Sequence, residues 1–160
     1  MTAESRTTTT VATADGRRPF TVDFHCHVLT LAVEQLVASC PQKLAEPEMM
    51  RRLQGNASAE LNFKQMRDLA PRLTDLSIRF DLMDKMGVDL QIISPSPTQY
   101  YYWADVDLAK QIVSVQNERI ASMCQQHPDR LSGLGNVALQ HPELAVEQSR
   151  IASRSWGCVE

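Results

Sequence analysis

The sequence is short of three things, and each shortage narrows its class. It holds four cysteines in 160 residues, at 26, 40, 124 and 158, and no two of them form a Cys-x-x-Cys pair. Thiols so far apart build neither a zinc ribbon nor a disulfide scaffold, so reduced, packed cysteines in a cytoplasmic protein are expected. No stretch of 18 apolar residues occurs, so no membrane-spanning helix and no membrane partner are expected. Lysine and arginine, 16 together against 19 acidic residues, never gather into a run. With a formal net charge of -3, broad electrostatic binding to nucleic acid is not expected either.

What is present is globular in composition, 43% hydrophobic and 22% charged, and the length suits one domain. The first eighteen residues, MTAESRTTTTVATADGRR, are the exception. They are polar and threonine-rich and lack the apolar middle of a secretory signal, which predicts a disordered tail over 1–18 ahead of a domain over 19–160.

Within that domain the pattern alternates. A strand is predicted from Phe20 to His25, with Val22 and Phe24 alternating with Thr21 and Asp23. A short helix follows from about Leu31 to Ser39, stopped by Pro41. Residues 41–73, broken by prolines at 41, 47 and 71 and by Gly55-Asn56, read as an insertion of helical fragments over the site. Thr74 is placed to cap a helix reaching Met86, with Leu76, Phe80, Met83 and Met86 on its apolar face and Gly87 closing it. Val88 to Ile93 is a second strand, halted by Ser94-Pro95-Ser96-Pro97. A helix over 105–126 would bury Leu108, Ile112, Val115, Ile120 and Met123. A third strand is expected at about Leu131 to Leu139, then a helix from Pro142 to about Ser153, and Cys158-Val159-Glu160 reads as the opening of a fourth strand. Strand and helix in alternation indicate parallel βαβ units.

The chemistry concentrates in Val22-Asp23-Phe24-His25-Cys26-His27. Side chains two apart on a strand share a face, so His25 and His27 project together and can offer two imidazole nitrogens to one cation. A pair of histidines at the end of the first strand of an α/β barrel stands where such barrels build their sites. Cys26 points the other way and is expected to pack. His127 and His141, each beside proline at a helix boundary, read as surface or capping residues.

VDFHCH resembles the metal motif that opens proteins of the amidohydrolase superfamily. The later segments Leu82-Met83-Asp84-Lys85-Met86-Gly87-Val88-Asp89, Gln91-Ile92-Ile93-Ser94-Pro95-Ser96-Pro97, Tyr102-Trp103-Ala104-Asp105, Asn117-Glu118, His127-Pro128-Asp129-Arg130 and Gln140-His141-Pro142-Glu143 are similar to its branch typified by aminocarboxymuconate-semialdehyde decarboxylase. The resemblance covers about residues 20–160. It implies a TIM-type (β/α)8 barrel of which this chain is the N-terminal part, about three and a half βα units. It also implies one divalent metal, most simply Zn2+, held by His25 and His27 and by further histidines and an aspartate from later strands. The implied activity is non-oxidative decarboxylation of a small unsaturated or aromatic acid, with hydrolysis or hydration at the same site as the alternative. The implied assembly is a homodimer.

Relatives of this type grip an acidic substrate with basic side chains from between the first two strands. Phe63-Lys64-Gln65-Met66-Arg67 is similar to that segment, so Arg67 and then Lys64 become candidates for holding the carboxylate. Trp103, with Tyr100 to Tyr102, is a candidate wall of the pocket. Arg72 and Arg79 are expected at the surface. A chain of this length, with two ligands and three strands, is also expected to be catalytically silent by itself: a non-catalytic fragment of the barrel.

Overall fold

The computed structural model describes residues 18–155, with side chains described as far as 151. Of the expected tail only Arg18 is among them, and it is fastened: its guanidinium bonds both oxygens of Asp89 and the carbonyl of Gly87. The expected fourth strand lies outside the described residues.

Three strands, β1 (Val22–Val28), β2 (Leu90–Pro95) and β3 (Leu131–Gly133), form one sheet in the order β1-β2-β3, parallel throughout. Between β1 and β2 run α1 (Leu31–Val37), α2 (Pro41–Gln54), α3 (Asn56–Thr74) and α4 (Leu76–Met86). A single 3-10 turn, Pro97–Gln99, and α5 (Val106–Gln126) join β2 to β3, and α6 (Pro142–Ser155) follows β3. No helix among the described residues is long and apolar enough to cross a membrane.

Several boundaries differ from the sequence expectation, each for a visible reason. The segment 41–73 is two continuous helices rather than fragments. Pro41 occupies the first turn of α2, where a missing N–H costs nothing, while Pro47 and Pro71 stand inside α2 and α3. The cap of α4 is Asp75 and not Thr74. The Asp75 carboxylate accepts from the amides of Ser77 and Ile78, whereas the Thr74 hydroxyl turns back to the Ala70 carbonyl within α3. Gly87 closes α4 at φ 70°, the left-handed conformation that glycine adopts without penalty.

The third strand is three residues long, not nine. Past Gly133 the side chain of Asn117 on α5 takes the place of a strand partner, accepting from the Asn136 amide and donating to the Asn136 carbonyl, both at 2.9 Å. Gln116 receives the Asn136 side chain at 2.8 Å. A helix that meets these backbone groups itself leaves them no reason to pair with a sheet. Gly133 permits the approach, since a Cβ there would stand 2.4 Å from Ile120 Cγ2.

Two apolar clusters hold the layers together. Cys26, Val28, Ile93, Ile120, Met123 and Leu131 pack between the sheet and α5, with Leu76 and Phe80 of α4 against them. Val33, Val37, Tyr101, Ala104, Ile112, Val113 and Leu144 join α1, α5 and α6. The helix over 105–126 buries Ile112, Ile120 and Met123 as expected, and also Asn117, bonded to the Asn136 backbone, and Gln116, bonded to the Gln99 carbonyl and the Asn136 side chain. On α4 the pattern departs from expectation: Met86 is 62% exposed, while Arg79 is buried.

Candidate metal centre

β1 does not end at the histidine pair, as its sequence suggested, but continues to Val28. It also carries a β-bulge. Asp23 pairs with Gln91 and Cys26 with Ile93, so β1 spends one residue more than β2 over that interval. A strict two-residue alternation would set Asp23, His25 and His27 on one face. The extra residue breaks that alternation, so Asp23 accepts from the Gln91 side chain at 3.1 Å while Cys26 packs against the helices. Phe24 is left 70% exposed and Val22 45%, so the apolar alternation read from the sequence is not a buried face.

His25 lies within the bulged interval and His27 beyond it, and their rings converge. Their Nε2 atoms are 3.1 Å apart, with ring centroids at 4.9 Å and planes nearly perpendicular. Two nitrogens bound to one metal at about 2.0–2.1 Å stand about 2.9–3.4 Å apart, depending on the angle at the ion. The pair fits a divalent cation with little movement. Among the described residues no third His, Cys, Asp or Glu joins them.

The strand is braced from its helix side by Arg79, which the sequence reading had left at the surface. Only 7% of it is exposed. Its guanidinium donates to the His27 carbonyl at 2.6 Å, to the Gln91 side chain at 2.7 Å and to the Arg72 carbonyl at 3.3 Å. Gln91 hands the connection on to Asp23. Burial lowers the Arg79 pKa, opposed by the nearby Cys26 and Asp23, and a guanidinium remains charged regardless. The alternation of α4 did not reveal this residue, because an arginine at a core position reads as a break in an apolar stripe.

Cys26 behaves as packing. Burial, then its hydrogen bond with Asp23, pushes its thiol up to about 12, so thiolate is not available near neutrality. Asp23 is held below the ordinary carboxylate value, first by Cys26, with the His25 amide and Gln91 adding to it against the cost of burial.

A cavity of about 200 Å3 opens between β1 and the α3–α4 corner, lined by His25, His27, Asp23, Arg79 and Arg72 together with Cys26, Leu73, Leu82, Met86 and Gln91 on its helix side. Arg67 and Lys64 are exposed on α3 and do not line it; Arg72, at the end of the same helix, does. The α3 end is tied to the site by the Leu29 amide, which donates to the Leu73 carbonyl at 3.0 Å. Trp103 packs on Tyr101, ring centroids 5.3 Å apart, at the margin of the α1–α5 cluster. Tyr100 and Tyr102 line a separate cavity of about 270 Å3 against α5 and residues 135–140. His127 caps α5 against the Phe80 ring, and His141 Nε2 lies 2.9 Å from the Ala104 carbonyl, so both stand at helix boundaries as expected.

Parallel βα units in sequential strand order, with two imidazoles converging near the end of the first strand, define a chain of the (β/α)-barrel class, which gathers its chemistry at that end of the strands. The amidohydrolase family model matches residues 22–154, and the chain belongs to that family. It is 27% identical over 139 residues to the 2-amino-3-carboxymuconate-6-semialdehyde decarboxylase of Caenorhabditis elegans, covering 85% of this chain and 33% of that protein. It is 30% identical over 93 residues to the gamma-resorcylate decarboxylase of Rhodococcus jostii, covering 58% of this chain and 28% of that one. Among solved structures it resembles a 2,6-dihydroxybenzoate decarboxylase from Rhizobium, with a TM-score of 0.63, 24% identity, and coverage of 88% of this chain and 36% of the other. It also resembles the 5-carboxyvanillate decarboxylase of Novosphingobium aromaticivorans complexed with manganese, with a TM-score of 0.66, 21% identity, and coverage of 87% and 40%. At these identities the structures establish the fold, the opening βα units of a TIM barrel. The chain spans between a quarter and a third of the length of the curated relatives it matches.

Proposed function

We propose that this chain furnishes the first two metal ligands, His25 and His27, of a carboxy-lyase that removes CO2 without oxidation from a small aromatic or unsaturated acid. The observation that carries the reading is the 3.1 Å approach of the two Nε2 atoms. Support comes from the relatives, which are named as decarboxylases of such acids. Neutral imidazoles suit zinc, and manganese, which favours oxygen ligands, is named with the Novosphingobium relative. A bound divalent ion would supply Lewis-acid polarisation of a substrate oxygen.

In such a reaction the bond between ring carbon and carboxyl carbon breaks, its electron pair stays on the ring, and a proton takes the place of CO2. No oxidant is consumed. This chain's share is to hold the two imidazoles on a braced strand and to hold the acid group. Of the basic side chains between β1 and β2 we assign that grip to Arg72, because it shares the cavity with the histidines. Arg67, five residues earlier, lies about 7.5 Å back along α3 at 1.5 Å per residue, and Lys64 farther still; their contacts with substrate would be outer ones. Trp103 would shape the pocket through the loop that follows β2. With only two ligands among the described residues, the chain alone is read as catalytically silent.

The test compares the chain alone with a chimera in which residues 20–155 replace the matching segment of the Rhizobium 2,6-dihydroxybenzoate decarboxylase. The reading predicts CO2 release from dihydroxybenzoate by the metal-loaded chimera, lost in His27→Ala and weakened in Arg72→Ala, and none from the chain alone. A folded, metal-loaded chimera that hydrolyses lactones or amides without releasing CO2 would assign the site to a hydrolase instead.

A further inference from the structure

His27 is held on both sides of its ring, and His25 is not. In the parallel register of β1 and β2, the residue opposite His27 is Ser94. Its hydroxyl oxygen lies 3.1 Å from His27 Nδ1 and 3.3 Å from the Cys26 carbonyl. A carbonyl only accepts, so with the serine proton given to Cys26 a hydroxyl lone pair is left for His27. In that arrangement the hydrogen of the contact sits on Nδ1. A neutral imidazole carries one N–H, so Nε2 of His27 is bare. It faces Nε2 of His25 at 3.1 Å, and that contact needs a hydrogen of its own, which His25 supplies. The His25 ring makes no other hydrogen bond among the described residues. This assignment puts the two histidines in opposite tautomers.

We propose that Ser94 is a positioning residue that fixes His27 as the Nδ1–H tautomer, making His27 the preformed ligand of the pair while His25 must first move its proton from Nε2 to Nδ1 through solvent. Without the serine, the His27 ring would take the Nε2–H form that neutral histidine prefers in water, with the hydrogen on the nitrogen that must face a metal. The consequence for metal rests on the ligand pair proposed above, whereas the tautomer itself does not. Partners of this kind on the non-ligating nitrogen set ring orientation, and removing one weakens metal affinity about 10- to 100-fold.

The experiment is a long-range proton–nitrogen correlation spectrum of the 15N-labelled chain, stripped of metal at about pH 8.5, two units above the ordinary histidine pKa. The proposal expects His27 to show a protonated Nδ1 and a bare Nε2, and His25 the reverse. Ser94→Ala should shift His27 toward Nε2–H, and Ser94→Thr, which keeps the hydroxyl, should restore the wild-type pattern. Zinc titration of the same three proteins should show weaker binding in the alanine variant alone. His27 found as Nε2–H in the wild type, or unchanged in Ser94→Ala, overturns the proposal, and the wild-type spectrum decides even if the alanine variant fails to fold. Wild-type protein with the expected tautomers and no zinc binding would sink the ligand pair while leaving the role of Ser94 standing.

Discussion

The Arg79 guanidinium donates to the His27 backbone carbonyl at 2.6 Å, tying a charged side chain of α4 to the strand that presents both histidines. The same fork reaches the Gln91 side chain and the Arg72 carbonyl, so one residue connects β1, β2 and the end of α3. Replacing it by methionine fills much of the volume but leaves those acceptors unmet in a buried place. We expect Arg79→Met to lose at least about 2 kcal/mol, given that each orphaned buried group costs about 1–3 kcal/mol. Urea denaturation reads this directly, and a loss under about 0.5 kcal/mol would show that the fork holds nothing.

Tyr101 sits at φ 43°, in the left-handed region where a non-glycine residue carries strain. Its hydroxyl donates to Glu34 at 2.6 Å and accepts from Lys43 at 2.9 Å, with Gln99 also donating to Glu34. This network joins α1, α2 and the turn after β2. Tyr101→Phe keeps the ring and the backbone but strips Glu34 and Lys43 of a shared partner. It should cost about 1–3 kcal/mol by the same denaturation measurement, and a neutral result would place the restraint on Tyr101 elsewhere.

The network also gives a pH dependence whose sign is fixed. Burial pushes the Glu34 pKa up, but hydrogen bonds from Tyr101 and Gln99 and the charge of Lys43 outweigh it, so the folded value lies below the ordinary 4.5. A carboxyl with a depressed folded pKa binds protons more readily in the unfolded chain. Its stabilisation is therefore complete above the unfolded value and is lost as pH falls through the folded one. Stability measured from pH 6 downward should fall below about 4.5, and Glu34→Gln should flatten that limb. An unchanged acid limb in the variant would assign the loss to other carboxylates.

Gly133 offers a packing test. A Cβ at this position would meet Ile120 Cγ2 at 2.4 Å and Cys124 Sγ at 3.1 Å, closer than packed side chains allow. Gly133→Ala should destabilise by about 1–3 kcal/mol, as overpacking does. In Ile120→Ala the offending methyl is gone, so the second substitution should cost less there than in the wild type. Strict additivity would mean that β3 simply moves off α5.

These sites also mark how far the sequence could be read. The alternation of βα units, the cap at Gly87, that at Asp105, whose carboxylate accepts from the Leu108 amide to open α5, and the facing of His25 and His27 are local signals, and spacing alone conveyed them. What escaped were features set by a distant partner. The bulge that turns Asp23 toward Gln91 leaves no mark in VDFHCH, because a bulge is defined by the register of the neighbouring strand. β3 ends early because Asn117, sixteen residues before Gly133, claims the next backbone groups. Arg79 was read as surface because charge is the ordinary mark of exposure, and only the three carbonyl oxygens around it reverse that expectation. Prolines 47 and 71 suggested breaks, yet α2 buries none of its residues and runs on through the first of them.

The central claim is that His25 and His27 act as one metal site, and it is tested most directly by following both rings while the metal-free protein is titrated with zinc. The account predicts that the Nε2 resonances of both residues move together, with one midpoint and one equivalent of metal. Binding should be weak for want of further protein ligands, and His25→Asn or His27→Asn should each abolish it. Movement of one ring alone, or zinc taken up undiminished by both variants through His127 or His141, would contradict it.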